Sequence, residues 1–402
     1  MTERTSFWRL MPLIAIVVLA FNLRPVAVSV GPVLAEISAD LGLSPELSGL
    51  LTSMPTLCFA VFGAFAPWLG HRIGPHVAIT LAFVALVLGQ GLRPFVDGAL
   101  PFFALTMLAL AGMALANVLI PPLVRTHYPN RVGLGTALYS LAISIGVTIA
   151  SSVTVPMAQA MGGWRAAMGA WAVVALASLI VWLPMLRYRI RRGRGTAKVA
   201  HSVSAVARTK LGWALAVMFG LQSGSSYTIF GWLPSIFRSY GMSEVNAGLM
   251  LGIATGVGIP LAFIVPAYVA RTPRPTRLFL GMMFCLASGW VGLLVAPMWA
   301  PWLWAILLAL GTSSYPMILA LFATRALTPS TTAALSGFTQ SVGYLIATAC
   351  PILFGSLNGW TGGWMWSLLV MLAITVPFTI TGYYSSQDRM VEDQLPGPAA
   401  RG

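Results

Sequence analysis

The chain has 402 residues, 58% of them hydrophobic and only 8% charged, with a mean hydropathy of +0.85. That balance excludes a soluble globular domain and describes an integral membrane protein. The formal net charge of +14 would suggest a nucleic-acid partner in a soluble chain, but here most basic residues fall in short connections between apolar runs, where they orient helices against the membrane.

Apolar runs separated by charged or turn-forming breaks predict twelve membrane helices, near residues 10–36, 45–69, 75–96, 99–122, 133–160, 164–186, 211–237, 246–270, 277–297, 300–323, 332–357 and 362–384. At about 20 apolar residues per crossing the chain accommodates that number, and the alternation of a barrel strand is scarce, so the expected class is all-α. The first run follows Arg4 and Arg9 and could pass for a secretory signal. It is too long for one, and its removal would spoil the even helix count.

Inside that first run stands Arg24, in Phe21-Asn22-Leu23-Arg24-Pro25. A cation at mid-membrane costs roughly 2.5–3.5 kcal/mol on insertion scales and persists where it faces a cavity or a partner. At helical spacing its neighbours are Ala20, Ala27, Val28 and Gly31, a face of small side chains with room for a ligand. The competing reading makes Arg24 a tie between helices, or a snorkelling side chain.

With the N-terminus in the cytoplasm, the predicted cytoplasmic segments hold 19 of the 23 Lys and Arg, and the outer ones only Arg93, Arg165 and Arg238. This asymmetry predicts both termini inside. The stretch from Arg187 to Lys210 reads as a basic cytoplasmic linker, able to rest on anionic lipid headgroups. It divides the chain into expected units at 1–186 and 211–384, followed by a tail at 385–402. These halves repeat. Gly42-Leu43-Ser44 and Gly49-Leu50 recur 199 residues later as Gly241-Met242-Ser243 and Gly248-Leu249, and Gly162-Gly163-Trp164 recurs 200 residues later as Gly362-Gly363-Trp364. Two six-helix, pseudo-symmetric halves would place a substrate site near the midplane between them.

Phe21-Asn22-Leu23-Arg24-Pro25, Ala116-Asn117-Val118-Leu119-Ile120-Pro121, Gly163-Trp164-Arg165 and Phe219-Gly220-Leu221-Gln222-Ser223 through Trp232-Leu233-Pro234 resemble the cyanate and 2-nitroimidazole transporter family of the major facilitator superfamily. The resemblance runs from Leu10 to about Tyr384. It implies a monomeric secondary transporter of a bacterial cytoplasmic membrane, working by alternating access without a cofactor. It also implies a cytoplasmic loop motif, here Arg72 and Gly74 with Arg271 in the second half. His71 stands where that motif carries an acid.

No Asp or Glu falls inside a predicted span except at its outer end, where Glu36 and Glu46 stand, and His71, His76, His127 and His201 sit in or at the edge of predicted cytoplasmic segments. An embedded cation with no embedded carboxylate asks its substrate for the anion, and a guanidinium fork suits a small anion better than an ammonium does. The resemblance assigns helices 1, 4, 7 and 10 to the cavity, which offers Asn22, Asn117, Gln222, Tyr227 and Tyr315 as neutral partners; Gln340 joins them from helix 11. Aligning Phe219 with Phe21 sets Gln222 opposite Arg24. Asn117 could instead satisfy carbonyls freed by Pro121 and Pro122, and Ser225 and Ser226 read as packing positions.

The glycine-rich stretches at 220–224 and 252–258 lie in apolar helices with no strand before them, so they are not phosphate loops. No catalytic constellation appears, which leaves an enzyme out. The expected function is transport of a small, cyanate-like anion; the alternative is export of small neutral heteroaromatics such as nitroimidazoles. A non-transporting scaffold would leave the repeat and Arg24 unexplained. With no carboxylate or histidine embedded in the spans, an electrogenic facilitator is expected, Glu36 being the one acid on the outer part of Arg24's helix.

Overall fold

A computed structural model describes residues 2–128, 131–187 and 203–394. Eleven of its helices are long and apolar enough to cross a membrane: α1 (Leu10–Leu41), α2 (Pro45–Ile73), α3 (Pro75–Phe95), α4 (Ala99–Val124), α5 (Leu134–Ala160), α6 (Trp164–Arg187), then α8 (Glu244–Arg271), α9 (Thr276–Val295), α10 (Pro301–Thr324), α11 (Ser330–Thr361) and α12 (Met365–Ser386). Between them, α7 (Lys210–Ser239) has the same length. Its middle carries Gln222, Ser223, Ser225, Tyr227 and Thr228, all buried, so it spans while presenting a polar stripe to the interior. The protein is a multi-pass, all-helical membrane protein. Of the predicted linker at 187–210, residues 188–202 lie outside the described residues, as do residues 395–402 of the predicted tail.

The internal repeat reappears as capping chemistry. Ser44 opens α2 by accepting the Leu47 amide at 3.3 Å, and Ser243 opens α8 by accepting the Asn246 amide at 3.4 Å. The preceding turns pass through Gly42 and Gly241, at φ +62° and +90°, a region closed to most side chains. Each cap contributes about 1 kcal/mol.

Within the first six helices α3 packs on α4 and α6, α2 on α4, and α1 on α5 and α6; within the last six α7 packs on α11 and α12, and α9 on α10 and α12. The two sets meet along α2–α11 and α5–α8, with α1 reaching α7. The pairs that join them, Arg24–Tyr227, Thr56–Thr348 (3.0 Å), Gln159–Glu244 (3.2 Å) and Glu36–Arg238 (2.7 Å), run from the middle of the helices to the end that carries the α1–α2 connection. We call this the far side. There Arg238 also holds Glu244 at 2.9 Å. The seal is tight at the backbone: a Cβ on Gly31 would lie 1.9 Å from the Phe230 carbonyl oxygen.

Three loop or end charges differ from expectation. Glu36 lies within α1, which continues to Leu41. Arg93 is fully buried. Arg325 is also buried, donating to the carbonyls of Pro273 (2.8 Å), Ser385 (3.2 Å) and Ser386 (3.1 Å). The chain beyond α12 folds under this arginine. Val391 donates to its carbonyl, Glu392 accepts the Leu327 amide and Gln394 accepts the Leu211 amide, fastening the ends of α7, α10 and α12 together.

At the terminus side His76 and His127 meet Nε2 to Nε2 at 3.0 Å, with His76 stacked on Trp182. Burial pushes the His127 pKa below its ordinary value. The charged form is therefore disfavoured in the folded state, and the unfolded chain takes up the proton first as pH falls below about 6.5. Stability is expected to drop across that window and level off once the lower, folded pKa is passed. Melting temperature against pH in detergent checks this: His127→Gln should flatten the acid limb, and an unchanged limb contradicts it.

Candidate functional site

The site begins with a break in α1. Pro25 has no N–H, so the Phe21 carbonyl four residues back loses its helical partner. The first segment ends at Asn22, Arg24 sits at φ −102° before a short turn at Pro25–Val28, and a second interruption follows at Ser29 and Val30. Gly146 of α5 closes on the freed Phe21 carbonyl so tightly that a Cβ there would be 2.1 Å away. Arg24 thus projects from an unwound point.

Its Nη1 donates to the Tyr227 hydroxyl of α7 at 2.6 Å, and its Cζ lies 5.3 Å from the centroid of Phe59 of α2. Phe59 stacks on Tyr344 of α11 at 4.9 Å and 15°, and Phe219 of α7 meets Tyr344 edge-on at 4.9 Å and Tyr315 of α10 at 5.9 Å. The hydroxyls of Tyr139, Tyr227, Tyr315 and Tyr344 lie close enough to interact electrostatically with the guanidinium. Phe59, Phe219, Tyr139, Tyr227 and Tyr344 are buried, whereas Arg24 and Tyr315 are half-buried. The arrangement is an aromatic cluster around one cation, which we call the aromatic chamber, and its face-on contact is worth about 0.5–2 kcal/mol. Among the described residues no carboxylate pairs with Arg24.

The predicted partners separate into two groups. Tyr227 and Tyr315 belong to the chamber, and Asn117 reaches it through Tyr139, whose hydroxyl is 3.3 Å from Asn117 Oδ1 and 3.5 Å from the Asn117 carbonyl. That carbonyl is the one Pro121 frees. Gln340, one turn from Tyr344 toward the terminus side, donates to Ser336 at 2.6 Å.

Asn22 points the other way: its amide donates to Ser178 of α6 and to the Val18 carbonyl. The two-residue step from Arg24 places it on the opposite face. Gln222 is committed within the last six helices. Pro316 frees the Thr312 carbonyl where α10 breaks, and Gln222 Nε2 donates to it at 2.8 Å and to Ser226 at 2.9 Å, while Oε1 accepts from Ser223. Of the loop motif, Arg72 stacks over Trp68 at 5.4 Å, Gly74 joins α2 to α3, and Arg271 is the exposed last residue of α8.

Residues 10–351 match the model of the Major Facilitator Superfamily. The chain belongs to that superfamily. Its members are transporters rather than enzymes, and this one is a secondary transporter. It is 30% identical to the 2-nitroimidazole transporter of Escherichia coli (strain K12) over 95% of this chain and 97% of that one. It is 25% identical to the cyanate transport protein CynX of the same organism, over 88% and 91%. The crystal structure of nucleoside transporter NupG (D323A mutant) superposes with a TM-score of 0.77 at 10% identity, covering 93% of this chain and 99% of that one, a likeness of fold.

Sequence reasoning missed Phe59, Phe219 and Tyr139. For Phe219 the available signal was its three-residue spacing from Gln222 on one helix face; Phe59 and Tyr139 carried none.

Proposed function

We propose that this transporter carries a small planar anion across a bacterial cytoplasmic membrane, with Arg24 as the charge partner. The observation that carries the reading is that Arg24, at an unwound point of α1, has a neutral hydroxyl and an aromatic face as its neighbours and no paired carboxylate among the described residues. A substrate anion supplies the missing charge, and the aromatic surface made by the stacked Phe59 and Tyr344 suits a planar body. Tyr227 is held by Arg24 until the anion competes for the same donors, so occupancy and the α1–α7 contact are linked.

The basic connections support a reading with both termini in the cytoplasm, under which the far side is the outer one and this conformation faces the cytoplasm. Residues 1–186 and 211–384 act as the two rocking units, and Glu36–Arg238 parts when the outer side opens. Names of relatives support both substrate readings: cyanate is an anion, and 2-nitroimidazole is a small heteroaromatic. The aromatic rings are the observation that supports the second reading, a neutral heteroaromatic cargo, and the unpaired Arg24 is the one that supports the first.

One reconstituted system separates the two. With the substrate gradient fixed, an anion couples to about 2.3 kcal/mol per 100 mV, so an imposed potential should change the flux while a pH gradient alone should not. Flux indifferent to potential supports the neutral cargo, and uphill accumulation driven by a pH gradient alone overturns the facilitator. In parallel, planar anions should raise the melting temperature of the purified protein.

A further inference from the structure

A second arginine lies inside the first six helices. Arg93, in the last turn of α3, has no exposed surface, and its Nη2 meets only the Met168 sulfur of α6 at 2.9 Å. Its Nε and Nη1 have no partner among the described residues. One turn earlier on the same face stands Gln90, 1% exposed, whose Nε2 is also unpartnered. On α4, next to the Leu105 that packs on α3 at Gly89, Thr106 is buried with a hydroxyl that has no partner among the described residues. The two helices run in close contact at this level: a Cβ on Gly89 would lie 2.4 Å from the Leu105 carbonyl oxygen. From α1, Ser29 reaches the same sulfur at 3.8 Å.

The neighbouring carboxylates are spoken for. Asp40 and Asp97 both pair with Arg165, at 3.0 and 3.2 Å, and the remaining Arg165 donor holds the carbonyls of Pro94 and Val96 at 2.9 Å each. This clamp fixes the connection that follows Arg93 and leaves Arg93 turned inward. The unpaired groups of the cluster are therefore the guanidinium Nε and Nη1, the Gln90 amide nitrogen and the Thr106 hydroxyl, all able to donate, beside a thioether, which is a weak acceptor. A buried guanidinium without a counter-charge is among the costliest groups a fold can hold, and among the described residues the one acceptor that meets it is the Met168 sulfur.

We propose that Arg93, Gln90 and Thr106 form an internal binding site for a small monovalent anion of the chloride type. The ion is a resident counter-charge of the first six helices and not the transported cargo. Nε and Nη1 of Arg93 supply charge and two donors, Gln90 Nε2 and the Thr106 hydroxyl supply the others, and the close α3–α4 packing limits the ligand to a compact ion.

Purified full-length protein should melt at a higher temperature in chloride than in gluconate at equal ionic strength, and bromide should substitute for chloride. Gln90→Leu removes one donor and should raise the chloride concentration for half-maximal stabilisation by about tenfold. Arg93→Met, an apolar replacement beside Met168, should abolish the dependence on anion. Arg24→Ala should keep it, which separates this site from the chamber. Equal melting in chloride and gluconate overturns the proposal. So does a chloride response that survives unchanged in Gln90→Leu, the deciding variant if Arg93→Met fails to fold, or one that disappears in Arg24→Ala.

Discussion

Arg24→Ala is expected to abolish transport of an anionic substrate while leaving a folded protein. Two charge-assisted hydrogen bonds to the anion are worth roughly 3–6 kcal/mol together, so binding should weaken by at least about 100-fold. Folding should not suffer to match, because the same change removes a cation that is costly to hold at mid-membrane and leaves only the Tyr227 hydroxyl and the Phe59 face without their neighbour. Arg24→Lys should restore little, since an ammonium is a point charge on a flexible stem and cannot present two parallel donors. Uptake in proteoliposomes at matched reconstitution checks both variants. Undiminished anion uptake by Arg24→Ala would remove Arg24 from the site.

Gly31→Val is expected to disable the transporter by a different route, through closure of the far side. Gly31 sits where α1 is interrupted for the second time, and the carbonyl it touches, Phe230 of α7, is the one that Pro234 deprives of its helical partner. Any Cβ must separate the two helices. Overpacking of this kind costs about 1–3 kcal/mol, which shifts the conformational equilibrium roughly 5- to 150-fold away from the state with Glu36 on Arg238. The readout is a thiol placed at Thr52, which is buried on α2 and faces Gly231 of α7. In Thr52→Cys that thiol should resist a membrane-impermeant maleimide, and in Thr52→Cys with Gly31→Val it should react while transport falls. Equal protection in both would show that the α1–α7 contact does not govern the far side.

The helices and their connections were legible because apolar run length and the charges between runs depend on the bilayer alone. Arg24 was legible for the same reason, as the one cation that bilayer physics cannot ignore. The chamber around it was not. In a membrane helix the face toward lipid and the face toward the bundle are both apolar, so nothing in the local sequence distinguishes Phe59, which lies under Arg24, from Phe65, which is exposed. Gln222 illustrates a second limit. Its alignment with Arg24 was sound as a pattern, but its amide is committed to a carbonyl that a proline ninety-four residues later sets free, a relation that exists only once α7 and α10 are packed. Arg93 illustrates a third: a basic residue beside a loop counts toward topology whether it faces water or folds back beneath its own helix, as here.

The central claim is that Arg24 reads the charge of the cargo. A matched pair of probes tests it directly: benzoate and benzamide, alike in shape and different in charge, titrated by calorimetry into purified wild-type protein and Arg24→Ala. The account predicts that the wild type binds benzoate at least about tenfold more tightly than benzamide, a difference of about 1.4 kcal/mol, and that the difference vanishes in Arg24→Ala while the weak binding of benzamide persists on the aromatic walls. Equal binding of the two probes by the wild type, or a preference for benzoate that survives the loss of Arg24, would contradict it.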